Sequence, residues 1–142
     1  DVDIETGAVK FERYIIVHDS GNLMNPMVVE GQIQGGAAHG IGNALFEWMA
    51  YDDEAQPLTT NFGEYLLPTA PEMPGFKVEF LESPSPLNPL GVKGVGEGST
   101  VPVAAAVASA VENALEPLGV RINQAPITPQ RIIELISHSK AA

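Results

Sequence analysis

The segment Lys93-Gly94-Val95-Gly96-Glu97-Gly98-Ser99-Thr100 sets a single carboxylate among glycines, directly before a stretch that reads as a helix start. Without a Cβ, glycine lets backbone N–H groups face a ligand, and the N-terminus of the following helix adds positive potential. A carboxylate flanked by glycines has few side-chain neighbours of its own, so whatever docks there sets its environment. In a dry pocket a carboxylic acid is harder to ionise, which suits a general base working near neutral pH. Glu97 is therefore the candidate catalytic residue. A solvated loop glutamate, or a carboxylate capping the next helix, is the competing reading of the same pattern. The loop is not of the Walker type, because Lys93 precedes Gly94, and Ser99 breaks the G-x-G-x-x-G order, so it is weak as a phosphate signal.

The second polar group lies in the glycine-rich segment from Met27 to about Phe46, which carries Gln32, Gln34 and His39. Gln32 and His39 are two helical turns apart and share a similar face. A primary amide offers both donor and acceptor, which suits a heterocycle with alternating functions. Gln34 reads as a surface glutamine, His39 as a core or interface histidine, and Tyr14, Tyr51 and Tyr65 as packing residues. His18, His39 and His138 are not at metal-ligand spacing, and Asp52-Asp53-Glu54 lacks the calcium-loop pattern. No residue of this chain is expected to ligate a metal. The absence of cysteine excludes disulfides, thiolate zinc sites, cysteine-held iron–sulfur clusters and a cysteine nucleophile.

These groups need elements to position them, and the pattern indicates an α+β arrangement within a single domain, residues 1–142. Asp1–Glu5 and Val9–His18 are strand-like runs joined at Thr6-Gly7, and Val9, Phe11, Arg13, Ile15 and Val17 share one parity. Asp19-Ser20-Gly21-Asn22 is a turn, and Asn25-Pro26 caps and opens a helix. That helix contains Gly31, Gly35, Gly36, Gly40 and Gly42, each costing about 1 kcal/mol relative to alanine. Such a composition calls either for tight packing on a neighbour or for a bulky ligand lying over the strip. Trp48–Tyr51, Leu58–Phe62 and Phe76–Glu82 read as further strands. Val101–Leu115, capped by Thr100, is rich in alanine and valine all round, as a buried helix would be. Gly119 ends it, Val120–Ile122 is a short strand, and Gln130–Ser137 is a last helix with Ile132, Ile133, Leu135 and Ile136 inward. An antiparallel or mixed sheet should pack against the glycine-rich helix and the alanine/valine-rich helix.

Composition narrows the partners. Eighteen acidic against seven basic side chains give a net charge of −11 over 142 residues, which argues against nucleic acid or an anionic membrane surface. A hydrophobic content of 44% allows an ordinary core. No apolar run is long enough for a membrane span, and no signal-type segment follows Asp1. The chain reads as a piece or processed product of something longer, acting in the cytoplasm.

Several motifs occur in order: Asn25-Pro26, Val29-Glu30-Gly31-Gln32-Ile33-Gln34-Gly35-Gly36, Tyr65-Leu66-Leu67-Pro68-Thr69, and Ser83-Pro84 through Asn88-Pro89-Leu90-Gly91-Val92-Lys93-Gly94-Val95-Gly96-Glu97. Together they resemble the C-terminal part of the molybdopterin-binding large subunit of the molybdenum hydroxylases. That family comprises xanthine dehydrogenase, aldehyde oxidase and aerobic carbon monoxide dehydrogenase. The resemblance implies a molybdenum–molybdopterin cofactor, in bacteria often the cytosine dinucleotide, shared with segments outside this chain. It makes Glu97, at the end of K-G-V-G-E, the active-site base for oxidative hydroxylation of an aldehyde, a purine or other N-heterocycle, or carbon monoxide. By the same likeness Gln32 contacts the pterin, and the backbone of Lys93, Gly94, Val95 and Gly96 lies along the cofactor. His39 stands where many relatives have glutamine, so no role carries over to it. The implied partners are the remaining molybdopterin-binding segment and chains or domains carrying FAD and 2Fe-2S clusters. The isolated chain would hold half a site. Two readings compete with this one: a non-catalytic scaffold of such a complex, and an acidic interaction domain whose glycine helix is only a packing surface.

Overall fold

The computed structural model describes residues 1–139, so the last three residues of the expected 1–142 domain lie outside the described residues. The elements are β1 (Tyr14–His18), α1 (Pro26–Leu45), β2 (Phe76–Phe80), α2 (Val103–Leu115) and α3 (Pro129–Ser139), with short 3-10 turns at Ala70–Glu72 and Glu116–Leu118.

Helix α1 starts where the cap residues require. Asn25 accepts from the Val28 N–H at 3.2 Å and Pro26 occupies the first turn. Val29, Ile33, Ala37, Ile41 and Leu45 recur every four residues and form its buried stripe. Helix α2 answers with Val103, Val107, Val111 and Leu115, also four apart. Ile132 and Ile136 of α3, with Val120 and Ile127 from the intervening loops, complete the same core. The expectation of an α2 buried all round is corrected: Ala105, Ala106, Ser109 and Ala110 face outward. Alanine is compatible with either side of a helix, so composition alone could not orient it. The inward set on α3 is likewise narrower than expected, since Ile133 and Leu135 are only partly buried.

The sheet differs more. Its two strands, β1 and β2, run parallel rather than antiparallel, with Tyr14 opposite Phe76, Ile16 opposite Val78 and His18 opposite Phe80. A helix of 20 residues lies in the connection and returns the chain to the same end, which is the arrangement a parallel pair needs. The face that Ile15 and Val17 share is the outer one in β1. Tyr14, Ile16 and His18 are half-buried while Ile15 and Val17 are exposed. Tyr14 packs edge-on against Phe11 and Phe76, with ring centroids 5.9 and 5.5 Å apart, so aromatic bulk settles which face turns in. The long Val9–His18 strand shrinks to its last five residues.

The other expected strands do not form as such. Asp1–Glu5 contributes one antiparallel bridge, Val2 to Val9, across a turn with Gly7 at φ 74°. Trp48–Tyr51 and Leu58–Phe62 form no strand; they are joined by an isolated bridge, Tyr51 to Pro57, and by the Leu58 N–H donating to the Ala50 carbonyl at 2.8 Å. Val120–Ile122 runs as a loop, its Ile122 N–H taken by the Glu112 carboxylate at 2.7 Å. Gly119 does adopt the left-handed conformation after the 3-10 turn that follows α2.

Candidate active site

The Glu97 loop is held from four directions. At its near end the Lys93 N–H donates to the Ser20 carbonyl at 2.8 Å, and the Lys93 ammonium donates to Asp19 Oδ2 at 2.5 Å. In the middle, Gln32 Nε2 on α1 donates to the Gly96 carbonyl at 2.9 Å. Beneath the loop lies the His18 ring, so close that a Cβ on Gly98 would stand 2.8 Å from its Cε1. At the far end Thr100 Oγ1 donates to the Gly36 carbonyl at 3.0 Å, and buried Ser99 rests against Gly36. Thr100 is thus tied to α1 instead of capping α2, which begins after Pro102 without a side-chain cap.

Four of the expected site positions are thereby brought together: Gln32, Lys93, Gly96 and Glu97. The Gln32–Gly96 bond joins segments 64 residues apart in sequence. Gly94 and Val95 complete the loop between them. Glu97 is exposed, and its carbonyl accepts from Thr100 and Val101, closing the turn into α2. Gln34 lies apart, donating to Glu30 at 3.0 Å along the helix surface, and His39 is exposed on α1. Among the described residues no group of His, Cys, Asp or Glu is arranged to hold a metal ion.

The residue that local patterns did not single out is Asp19. It reads as an ordinary turn residue, yet it ties three segments: its Oδ1 accepts from Gly21 at 2.8 Å and from Ser83 at 3.2 Å, while Oδ2 takes Lys93. The Lys93 ammonium, followed by the backbone N–H of Gly21, pulls its carboxyl down to about 2. Partners more than 60 residues away leave no local signature.

Whether this surface suits a pterin is testable on the backbone. None of the amide N–H groups from Gly94 to Gly98 donates to an acceptor among the described residues. A Cβ at Gly94 or Gly96 would meet nothing within 4 Å, nor would one at Gly31 or Gly35 on the adjoining turns of α1. The result is an open face of unsatisfied donors and bare backbone beside one carboxylate. A flat heterocycle rich in acceptors fits such a face.

Comparison with known proteins agrees with that chemistry. The molybdopterin cofactor-binding domain family matches residues 1–74. The chain is 42% identical over 133 residues to the nicotine 6-hydroxylase large subunit of Paenarthrobacter nicotinovorans, covering 94% of this chain and 16% of that protein. It is 42% identical over 134 residues to the xanthine dehydrogenase molybdenum-binding subunit of Escherichia coli O157:H7, covering 94% and 17%. The crystal structure of quinoline 2-oxidoreductase from Pseudomonas putida 86 superposes with a TM-score of 0.93 at 45% identity, over 96% of this chain and 17% of that one. The chain thus spans about a sixth of the length of these relatives. Motif order, fold and relatives agree: the chain belongs to the molybdopterin cofactor-binding family of molybdenum hydroxylase large subunits.

Proposed function

We propose that this chain forms one wall of the molybdopterin site in an oxidoreductase that hydroxylates an N-heterocycle, with Glu97 as the base. The observation that carries the reading is the Gln32–Gly96 hydrogen bond, which lays the bare face of α1 beside the Lys93–Glu97 loop. Turning a C–H bond and water into C–OH releases two protons and two electrons. When bound, the molybdenum centre supplies the electron acceptor and delivers the oxygen. The protein must take up a proton, and the Glu97 carboxylate on this face can accept it on an oxygen of its own. Gln32, with one amide hydrogen committed to Gly96, keeps a second N–H and its carbonyl for the pterin edge. The unbonded N–H groups of Gly94–Gly98 orient the cofactor without a side chain intervening.

Three relatives act, by name, on nicotine, xanthine and quinoline, which favours an N-heterocycle over an aldehyde or carbon monoxide as substrate class. The cofactor form proposed is the cytosine dinucleotide. Because this chain has no cysteine, the 2Fe-2S clusters of such an enzyme have to sit on other segments or partner chains, and the family likeness assigns FAD to partners as well.

The test is the assembled enzyme containing this chain, with molybdenum measured per mole of subunit. Glu97→Gln is expected to keep near-stoichiometric molybdenum and to lower kcat on N-heterocycles by about 10²–10⁴-fold, the usual worth of a positioned base. Gln32→Ala is expected to lower molybdenum content. An assembled complex free of molybdenum, or full turnover in Glu97→Gln, would remove the reading and leave a scaffold.

A further inference from the structure

The loop that carries Glu97 is poorly suited to hold its own shape, because Gly94, Gly96 and Gly98 lie on it and its N–H groups from Gly94 to Gly98 make no intramolecular bond among the described residues. Its position has to be imposed by its surroundings: in the middle by the Gln32 amide on the Gly96 carbonyl, and at its two ends. At the far end Thr100 is fastened to the Gly36 carbonyl of α1, and buried Ser99 packs against the same glycine. At the near end the fastening is the ion pair of Lys93 with Asp19, backed by the Lys93 N–H on Ser20. Asp19 is itself fixed, because its other oxygen accepts from Gly21 and Ser83. The two side chains are only about a third exposed, at 37% for Lys93 and 32% for Asp19.

We propose that Asp19 is a positioning residue for Glu97: through its ion pair with Lys93 it sets where the glycine loop stands, and so where the base meets the substrate. The inference rests on Glu97 being the base. It assigns the Lys93 side chain to the protein rather than to the cofactor, leaving only the Lys93 carbonyl for the latter, since its N–H is held by Ser20.

The division of labour on Asp19 allows a selective test in the assembled holoenzyme. Asp19→Asn can keep its oxygen toward Gly21 and Ser83 while presenting an amide to the Lys93 ammonium, and Lys93→Met removes that ammonium but keeps the stem. Each is expected to lower kcat by at least about tenfold, the scale set by small misplacements of a reacting group. KM and molybdenum content should stay near wild type. The double variant should lose no more than either single one, Lys93→Arg should recover most of the activity, and amide exchange at Lys93 should quicken in both single variants. Additive losses, wild-type kcat in Asp19→Asn, or loss of molybdenum in Lys93→Met alone would overturn the proposal. Failure of both variants to assemble would assign the pair to folding and overturn it as well. Glu97→Gln measured alongside separates the two failures. If it is fully active the base assignment falls, while the exchange at Lys93 still reports whether the ion pair holds the loop.

Discussion

Two pairs of glycines on α1, four residues apart within each pair and offset by five from one pair to the other, meet opposite surroundings. Gly36 and Gly40 face protein: a Cβ on Gly40 would stand 2.5 Å from Val103 Cβ, and one on Gly36 would run into Ser99 and Thr100. Gly31 and Gly35, one turn apart toward the helix start, face nothing within 4 Å. The first pair is needed so that α2 and the end of the Glu97 loop can approach the helix backbone. The second pair has no such need within this chain, although each glycine costs about 1 kcal/mol of helix propensity. The contrast shows that close packing within this chain accounts for one pair and not for the other; ligand access, the alternative reading of the sequence, is what we propose for Gly31 and Gly35.

Substitutions at the two pairs should diverge in sign. Gly40→Ala is expected to have the largest effect on stability, lowering that of the assembled subunit by about 2 kcal/mol from overpacking against the root of Val103, beyond what the propensity gain returns. Urea unfolding followed at the subunit checks it, and an unchanged midpoint would break the comparison. Thr100→Val, which removes the donor to the Gly36 carbonyl while keeping the shape, should cost about 1 kcal/mol in the same measurement. Gly35→Ala should do the reverse, raising stability by up to about 1 kcal/mol. It should at the same time lower molybdenum retention, because the new methyl group lies on the face assigned to the pterin. Retained molybdenum in that variant would move the cofactor off the helix.

The smallest expected effect concerns acid. Asp19 is depressed from 3.8 to about 2, so its link to Lys93 is fully in place above pH about 4 and is lost as pH falls through about 2. Between pH 5 and 8 the ion pair should therefore contribute no pH dependence to turnover. Carboxyl NMR of aspartate-labelled protein should find one group titrating near 2 and returning toward the ordinary range in Lys93→Met.

Much of the candidate site was legible from local rules. Glycines around Glu97 marked a loop without side-chain neighbours of its own, and Asn25-Pro26 marked the start of α1 to the residue, whereas the four-residue core stripes of α1 and α2 emerged only in the structure. Gln32 and Glu97 could be named before any geometry because their motifs resemble those of a known family; residue type and neighbours alone left a solvated or capping glutamate and a surface glutamine open. The strands were less legible. Ile15 and Val17 are as apolar as Tyr14 and Ile16, and alternation says only that two faces differ, so a choice of one residue inverts the whole strand.

What the sequence by itself determined is therefore the set of local conformations and chemical groups: a glycine helix opened by a capped proline, a bare loop with one carboxylate, and a chain with no thiol to hold a cluster. Only the tertiary structure decided that β1 and β2 pair in parallel, that Gly36 and Gly40 are packing glycines while Gly31 and Gly35 are open, and that Asp19 reaches Lys93. The reason is range. Caps, turns and periodicity act within a few residues, whereas strand direction, helix approach and the Asp19 ion pair depend on partners some 60 to 75 residues away, whose position follows from how the whole core closes.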